Sequence, residues 1–260
     1  MRVAYPLLPR HPSSPLQPPF SSSFSPLGPN PQSQPQALTP THLFLPIIST
    51  SRSPLSECDY NLHKSNSTYL SDVDVSRANL CALLFGSRLA LRPTTAITTI
   101  TSSSSLPFII VILGGVQCVF RKEISPYQAY DIWTRVFSWD EKWMYVVSHF
   151  VVPGVFRGRG RGRGRGEEDG DGSEGKEGAK KSVFATCVSR VVFKQGRVTV
   201  PPGRMLGECG LLGVDGMGAG NDVEERRCRD LEKAQLKCGW DAVHEAFDPD
   251  IRVVLERFMG

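Results

Sequence analysis

No aspartate or glutamate occurs before Glu57, although the first 56 residues hold 13 of the 20 prolines. So little apolar density cannot offset the entropy of ordering, and residues 1–41 read as a disordered tail. An acid-free start is a transit-peptide trait, but the prolines spoil the amphipathic helix that an organellar address needs. A cytoplasmic protein is the expectation. Long apolar runs are also missing: the longest, Leu106 to Val116, has 11 residues and includes a proline and two glycines. A membrane-spanning helix needs about 20, so none is expected. The seven cysteines are scattered, with no Cys-x-x-Cys and no close Cys/His pairing. That argues against a disulfide scaffold or zinc site and for reduced thiols; no metal or cofactor is expected. Gly-x-Ser-x-Gly, His-Glu-x-x-His and the Walker loop are absent too.

The formal net charge, +4 over 260 residues, is too small for a nucleic-acid-binding domain. Arg157, Arg159, Arg161, Arg163 and Arg165 alternate with glycine and offer an electrostatic RNA contact. They carry no interleaved aromatic, however, and Glu167, Glu168, Asp169 and Asp171 neutralise them at once. Residues 157–181 therefore read as a disordered, self-compensating insert, and no nucleic-acid partner is expected. Gly216 to Gly220 resembles a phosphate loop only superficially, because no strand precedes it.

The remaining chain has a clear order of elements. Asn66 to Phe85 reads as a helix, capped by Asn66 and Ser67, with Tyr69, Val73, Leu80 and Leu84 on one face. The Thr/Ser run 94–105 interrupts, and Phe108 to Glu123 is a strand rich in Ile and Val. Tyr130–Trp139 and Trp143–Val152 are β-rich runs joined by Asp140-Glu141-Lys142, the pattern of an antiparallel hairpin. Alternation assigns Trp133, Arg135, Phe137 and Trp139 to one face and Ile132, Thr134 and Val136 to the other. Both faces are substantial, so the strand is expected to be covered on one side and dimer-facing or flanked on the other. Val183–Phe193 is a further strand, and Pro201-Pro202 opens a short helix through Leu206. Residues 213–221 are a Gly-rich breaker; Val223–Lys237 and Trp240–Met259 read as amphipathic helices with a break near Pro249. Helix, then strands, then helices makes an α+β protein with an antiparallel sheet.

Chemistry concentrates just before the first helix, where Asp59, His63 and Asn66 fall within eight residues. A helix start offers free backbone N–H groups and a positive dipole end, suited to a developing oxyanion. A carboxylate beside it can attack a carbonyl or activate water. The same residues also serve as ordinary turn and helix caps, and composition alone leaves both readings open. His149 lacks an evident acid partner and reads as a sheet-face residue, and Trp133, Trp139 and Trp143 as packing.

The pattern Asp59-x-x-x-His63-x-x-Asn66-x-x-Tyr69, with Asp74 and Arg77 beyond it, resembles the hotdog-fold thioesterases related to 4-hydroxybenzoyl-CoA thioesterase. The likeness is greatest to fungal thioesterase-like proteins, some found with polyketide or peptide biosynthetic genes. Three blocks carry it: ECDYNLHKSNSTYLSDVDVSR, LGGVQCVFRKEISPYQAYDIWTRVFSWDEKW and VVFKQGRVTVPPGRML. The resemblance implies a curved antiparallel sheet around a long central helix, paired into a homodimer with active sites at the interface. It makes Asp59 the nucleophile or base, the backbone N–H of Asn66 the oxyanion donor, and His63 and Tyr69 residues that shape the pocket entrance, His63 counted with the catalytic residues and Tyr69 with the substrate-binding ones; Asp74 and Arg77 are structural or paired with each other. Two positions depart from the pattern: Leu62 stands where a glycine is common, and Ser65 where the first of two asparagines is common. Residues 42–212 are the expected hotdog domain and 213–260 a helical C-terminal extension. The implied activity is hydrolysis of an acyl-CoA or acyl-carrier-protein thioester, in secondary (polyketide) or lipid metabolism. The alternative is a hotdog domain that binds acyl chains or a synthase partner without turnover.

Overall fold

The computed structural model describes residues 38–86, 88–89, 109–155, 182–212, 219–249, 251 and 253–259. The Arg-Gly insert, the Thr/Ser run 94–105 and most of the expected tail and Gly-rich breaker lie outside these residues. Helix α1, Asn66–Phe85, coincides with the expected helix. Its 3.6-residue period turns Tyr69, Val73, Leu80 and Leu84 into the core together with Ser76, Arg77, Cys81 and Phe85.

The strands are β1 (Ile47–Arg52), β2 (Ile110–Phe120), β3 (Ala129–Trp139), β4 (Met144–Val151), β5 (Val183–Gln195), β6 (Val198–Val200) and β7 (Arg257–Met259). They form one sheet in the order β2-β5-β4-β3-β1-β7, with β6 added to β5. Every pairing is antiparallel except β1 with β7. The expected hairpin is β3–β4. Its turn closes because the Asp140 carboxylate accepts from the backbone N–H of Lys142 (2.8 Å) and of Trp143 (2.7 Å). Helices α2 (Pro202–Glu208), α3 (Ala219–Ala234) and α4 (Gly239–Glu245) follow. Among the described residues no helix is long and apolar enough to cross a membrane. The architecture is α+β and hotdog, an antiparallel sheet against a central helix.

Alternation along the strands divides the sheet into two faces. The face toward α1 holds two apolar clusters, one around Leu80, Phe85, Val136 and Phe193, the other around Tyr69, Val73, Ile132 and Phe150. Between them runs a row of buried hydroxyls. Ser49 Oγ donates to Ser76 Oγ (3.3 Å), Ser76 Oγ to Thr134 Oγ1 (2.8 Å), and Thr134 Oγ1 lies 2.9 Å from Ser148 Oγ. The opposite face is covered by α3, α4 and the residues after them. Phe137, Tyr145, Val147 and Val188 pack on Ala234 and Val243, and Trp133, Val151 and Val183 on Phe247.

Three expectations need correction. Trp139 does not share a face with Trp133 and Phe137. A bulge between Val136 and Ser138 adds one residue to β3 and reverses the alternation after it, so Trp139 stacks on Phe44 in the α1-side cluster. Trp240–Met259 is not a helix: α4 stops at Glu245 before Pro249, which disfavours helical backbone in the residue preceding it. The end of the chain instead pairs with β1, Ile48 opposite Arg257. Finally, not all cysteines are thiols. Cys118 and Cys187 are register partners on β2 and β5, their Cα atoms 4.1 Å apart, and are joined as a disulfide.

Candidate active site

The segment before α1 is a tight loop. A 3-10 turn at Leu55–Glu57 leads into it, an antiparallel bridge between Cys58 and Lys64 closes its base, and α1 begins at Asn66. Within the loop the N–H of Asp59 donates to the His63 carbonyl (2.9 Å), and that of Leu62 to the Asp59 carbonyl (3.0 Å). Leu62 takes φ +59°, the left-handed region that favours glycine. That explains why glycine suits the position and why leucine there is strained.

The two oxygens of Asp59 have different surroundings. Oδ1 accepts from the backbone N–H of Asn61 (2.9 Å) and, more weakly, of His63 (3.4 Å). Among the described residues no donor reaches Oδ2. One oxygen thus anchors the carboxylate to its own loop and leaves the other available. Ser65 precedes α1 without a side-chain cap, so among the described residues the N–H groups of Asn66 and Ser67 have no acceptor. Unclaimed N–H groups at a helix start are an anion-binding arrangement. The fold therefore places Asp59 in the loop that leads directly into Asn66 at the start of α1.

The other two expected residues are placed differently. His63 Nε2 lies 3.2 Å from Glu123 Oε2 at a partly exposed position and meets Asp59 only through its backbone. Tyr69 is 2% exposed and belongs to the core, its ring against Phe120 and Phe150 at 5.0 and 4.8 Å between centroids. Burial, with lesser charge effects, pushes its phenol up to about 12.

Beneath the loop lies a charged junction that sequence reasoning missed. Lys64 is 3% exposed. Its Nζ donates to Glu57 Oε2 (2.5 Å) and lies 3.0 Å from Asp72 Oδ2. It also sits over the rings of Tyr69 and Tyr130, at 5.6 and 5.2 Å, and Tyr130 Oη donates to Asp72 Oδ2 (2.7 Å). Burial opposes the lysine charge, but the bonds to Glu57 and Asp72 outweigh it and raise its pKa. Burial and the Asp72 bond push Tyr130 up to about 12. Nothing in the sequence marks this lysine as buried, since one partner sits in the preceding turn and the others on α1 and β3.

Farther along α1 a cavity of about 450 Å³ opens against the start of β2, lined by Asp74, Arg77, Cys81, Leu89, Ile109 and Leu113 among others. Asp74 and Arg77 form the expected ion pair, and Arg77 Nη1 donates to Ser189 Oγ (3.1 Å). Burial lowers the Arg77 pKa. Among the described residues no three His, Cys, Asp or Glu side chains are grouped to hold a metal ion.

The chain is similar to known proteins. A family model described as the thioesterase-like superfamily matches residues 53–202. The chain is 42% identical over 219 residues to thioesterase poxG of Penicillium oxalicum, spanning 79% of this chain and 71% of that protein. It is 41% identical over 175 residues to the probable thioesterase atnL of Emericella nidulans, spanning 65% and 55%. Among solved structures, the probable thioesterase YbaW of Escherichia coli is 9% identical with a TM-score of 0.41, covering 63% of this chain and 96% of that one. The matched region includes the Asp59 loop, α1 and strands β2 to β6, and the chain belongs to the thioesterase-like superfamily.

Proposed function

We propose that this protein is a cytoplasmic acyl thioesterase in which Asp59 is the reacting carboxylate. Thioester and water become a carboxylic acid and a thiol. Asp59 Oδ2 either attacks the carbonyl carbon, giving a mixed anhydride that water then hydrolyses, or takes the proton of an attacking water. The carbonyl oxygen gathers negative charge as the bond to carbon forms, and the N–H of Asn66 receives it. The carbon–sulfur bond then breaks, and the thiolate leaves and is protonated. The observation that carries this reading is the juxtaposition of a carboxylate with one unengaged oxygen and a helix start with unengaged N–H groups. The acyl group is delivered on CoA or a carrier protein. Its source in this proposal is secondary (polyketide) or lipid metabolism, and the fungal relatives named as thioesterases support the hydrolase reading.

The proposed active form is a homodimer. Among the described residues β2 is an edge strand of 11 residues on which Ile110, Ile112, Leu113 and Phe120 are 39–46% exposed. A long, apolar, unpaired edge is a template for pairing with another chain, here a second β2.

The test is thiol release from a panel of acyl-CoAs by wild type and Asp59→Ala, with sedimentation to give the oligomeric state. Loss of a catalytic carboxylate lowers kcat by about 10²–10⁴-fold. A wild type no faster than the variant on every acyl chain sinks the hydrolase reading. It would favour non-catalytic acyl binding, in which Asp59 only caps its loop through Oδ1.

A further inference from the structure

We propose that Lys64 is a positioning residue for Asp59, the buried pin that fixes the reacting carboxylate relative to the start of α1. The inference rests on Asp59 being the reacting group. An ammonium with no exposed surface is costly unless paired, so its presence needs a compensating arrangement. Here the arrangement joins three elements at one atom. Glu57 belongs to the turn before Asp59, Asp72 and Tyr69 belong to α1, and Tyr130 belongs to β3. The backbone of Lys64 adds two ties, pairing with Cys58 across the loop base and donating to the Ile124 carbonyl (2.8 Å). The Ser65 N–H reaches back to the Glu57 carbonyl (2.8 Å).

Both ends of the Asp59 loop therefore meet at Lys64, whereas its tip is loosely held. Tyr60 and Leu62 are exposed, and the hydrogen bonds of Asn61 and Leu62 stay within the loop. The tip cannot set its own distance from α1, so the junction beneath sets it. A buried ion pair is a poor source of net stability, and a well-packed apolar side chain would fill the site as well energetically. What an apolar residue would not supply is the directed link from Glu57 to Asp72, which holds the turn before Asp59 to the second turn of α1.

The experiment compares wild type, Lys64→Met, and a charge-free triple variant, Lys64→Met with Glu57→Gln and Asp72→Asn. Three quantities are measured: kcat and KM on the best acyl-CoA, urea stability, and amide hydrogen exchange at Asn61 and His63 against exchange in β3 and β4. Lys64→Met should lower kcat about 100-fold, the scale of a 1 Å misplacement, and leave KM within about threefold. It should also speed exchange at Asn61 and His63, the donors to Asp59 Oδ1. Lys64→Met leaves two carboxylates beside an apolar side chain and will lose stability; the triple variant should recover it without recovering kcat. Recovery of kcat together with stability in the triple variant would make Lys64 merely structural and overturn the proposal. So would unchanged exchange at Asn61 and His63 in a folded Lys64 variant. If the wild type hydrolyses no acyl thioester, the exchange data still decide: faster exchange upholds the pinning of the loop and places the failure in the thioesterase reading.

Discussion

The two faces of the sheet bury polar groups in different ways. Toward α1, Ser76, Thr134 and Ser148 bond to one another, and Arg77 reaches Ser189. These three bonds join residues of the family-matched region, and the row's further bond comes from Ser49 on β1, just before it. Toward α3 and α4, Arg135 donates to the Ala246 carbonyl (2.9 Å), and among the described residues its Nη1 has no acceptor. His149 Nε2 makes a long 3.4 Å contact with the Val243 carbonyl, and among the described residues Thr186 Oγ1 has no hydrogen-bond partner. These bonds, and that from Ser138 Oγ to the Arg227 carbonyl (2.8 Å), depend on a segment beyond residue 202, outside the family match. One face therefore carries its own polar satisfaction, and the other borrows it from an addition to the fold.

Removing that addition should have the largest effect. Truncation after Leu212 uncovers Trp133, Phe137, Tyr145, Val147 and Val188. At about 1.5–3 kcal/mol per large side chain the loss is on the order of 10 kcal/mol, comparable to the whole stability of a domain. The truncated chain should be insoluble or unfolded by circular dichroism. A folded, soluble truncation product would end the comparison, because the outer face would then need no cover.

Acid should separate the faces next. Burial, and secondarily the charge of Arg135, lowers the His149 pKa from 6.5 to about 3. His244 and Asp248 also border this region. A group whose folded pKa is depressed supports the fold fully above its unfolded pKa. That support is lost as pH falls from 6.5 toward 3, because the unfolded chain takes up the proton first. At about 1.4 kcal/mol per unit, His149 accounts for a few kcal/mol over that window. Urea unfolding at pH 7 and pH 4 should show a smaller loss for His149→Gln than for wild type. Equal losses would mean that His149 is not the sensitive group.

On the α1 side, Thr134→Val removes the hydroxyl that Ser76 and Ser148 share. Leaving those two without it should cost about 1–3 kcal/mol. Adding Ser76→Ala and Ser148→Ala should cost less than the three single changes together, since only the part-buried Ser49 hydroxyl then loses its partner. Simple additivity in denaturation midpoints would show the hydroxyls to be independent, contrary to the row described above.

How far each face was legible follows from the range of the interactions that build it. Local periodicity placed α1 and the β3–β4 hairpin, and the spacing of Asp59, His63 and Asn66 placed the candidate site. The resemblance supplied the expected roles. Trp139 was misassigned because its face depends on a bulge opposite Tyr145, and a bulge is a property of two strands. Residues 240–259 have helical composition, but Arg257–Met259 pairs with Ile48–Thr50, about 200 residues earlier. Cys118 and Cys187 are 69 residues apart, so nothing in either neighbourhood announces the pair. Lys64 reads locally as an ordinary surface charge; its partners Asp72 and Tyr130 belong to α1 and β3.

The smallest effect sets the two faces against each other at a single backbone conformation. Leu62, in the Asp59 loop, and Leu236, after α3 on the outer face, both take φ +59°, which strains a residue with a Cβ by about 1 kcal/mol. Glycine relieves that strain in each case but makes the unfolded chain more flexible, so the net backbone gain is roughly 0.5 kcal/mol. Leu62 is 61% exposed and gives up little packing, so Leu62→Gly should be neutral or slightly stabilising. Leu236 packs on the cluster of Phe137, Tyr145 and Ala234. Losing that burial costs about 1–2 kcal/mol and reverses the sign. Urea midpoints should therefore move in opposite directions for the two variants. If both rise, the cover over the outer face contributes less packing than its contacts imply; if both fall, backbone strain at the Asp59 loop is not what sets the preference for glycine there.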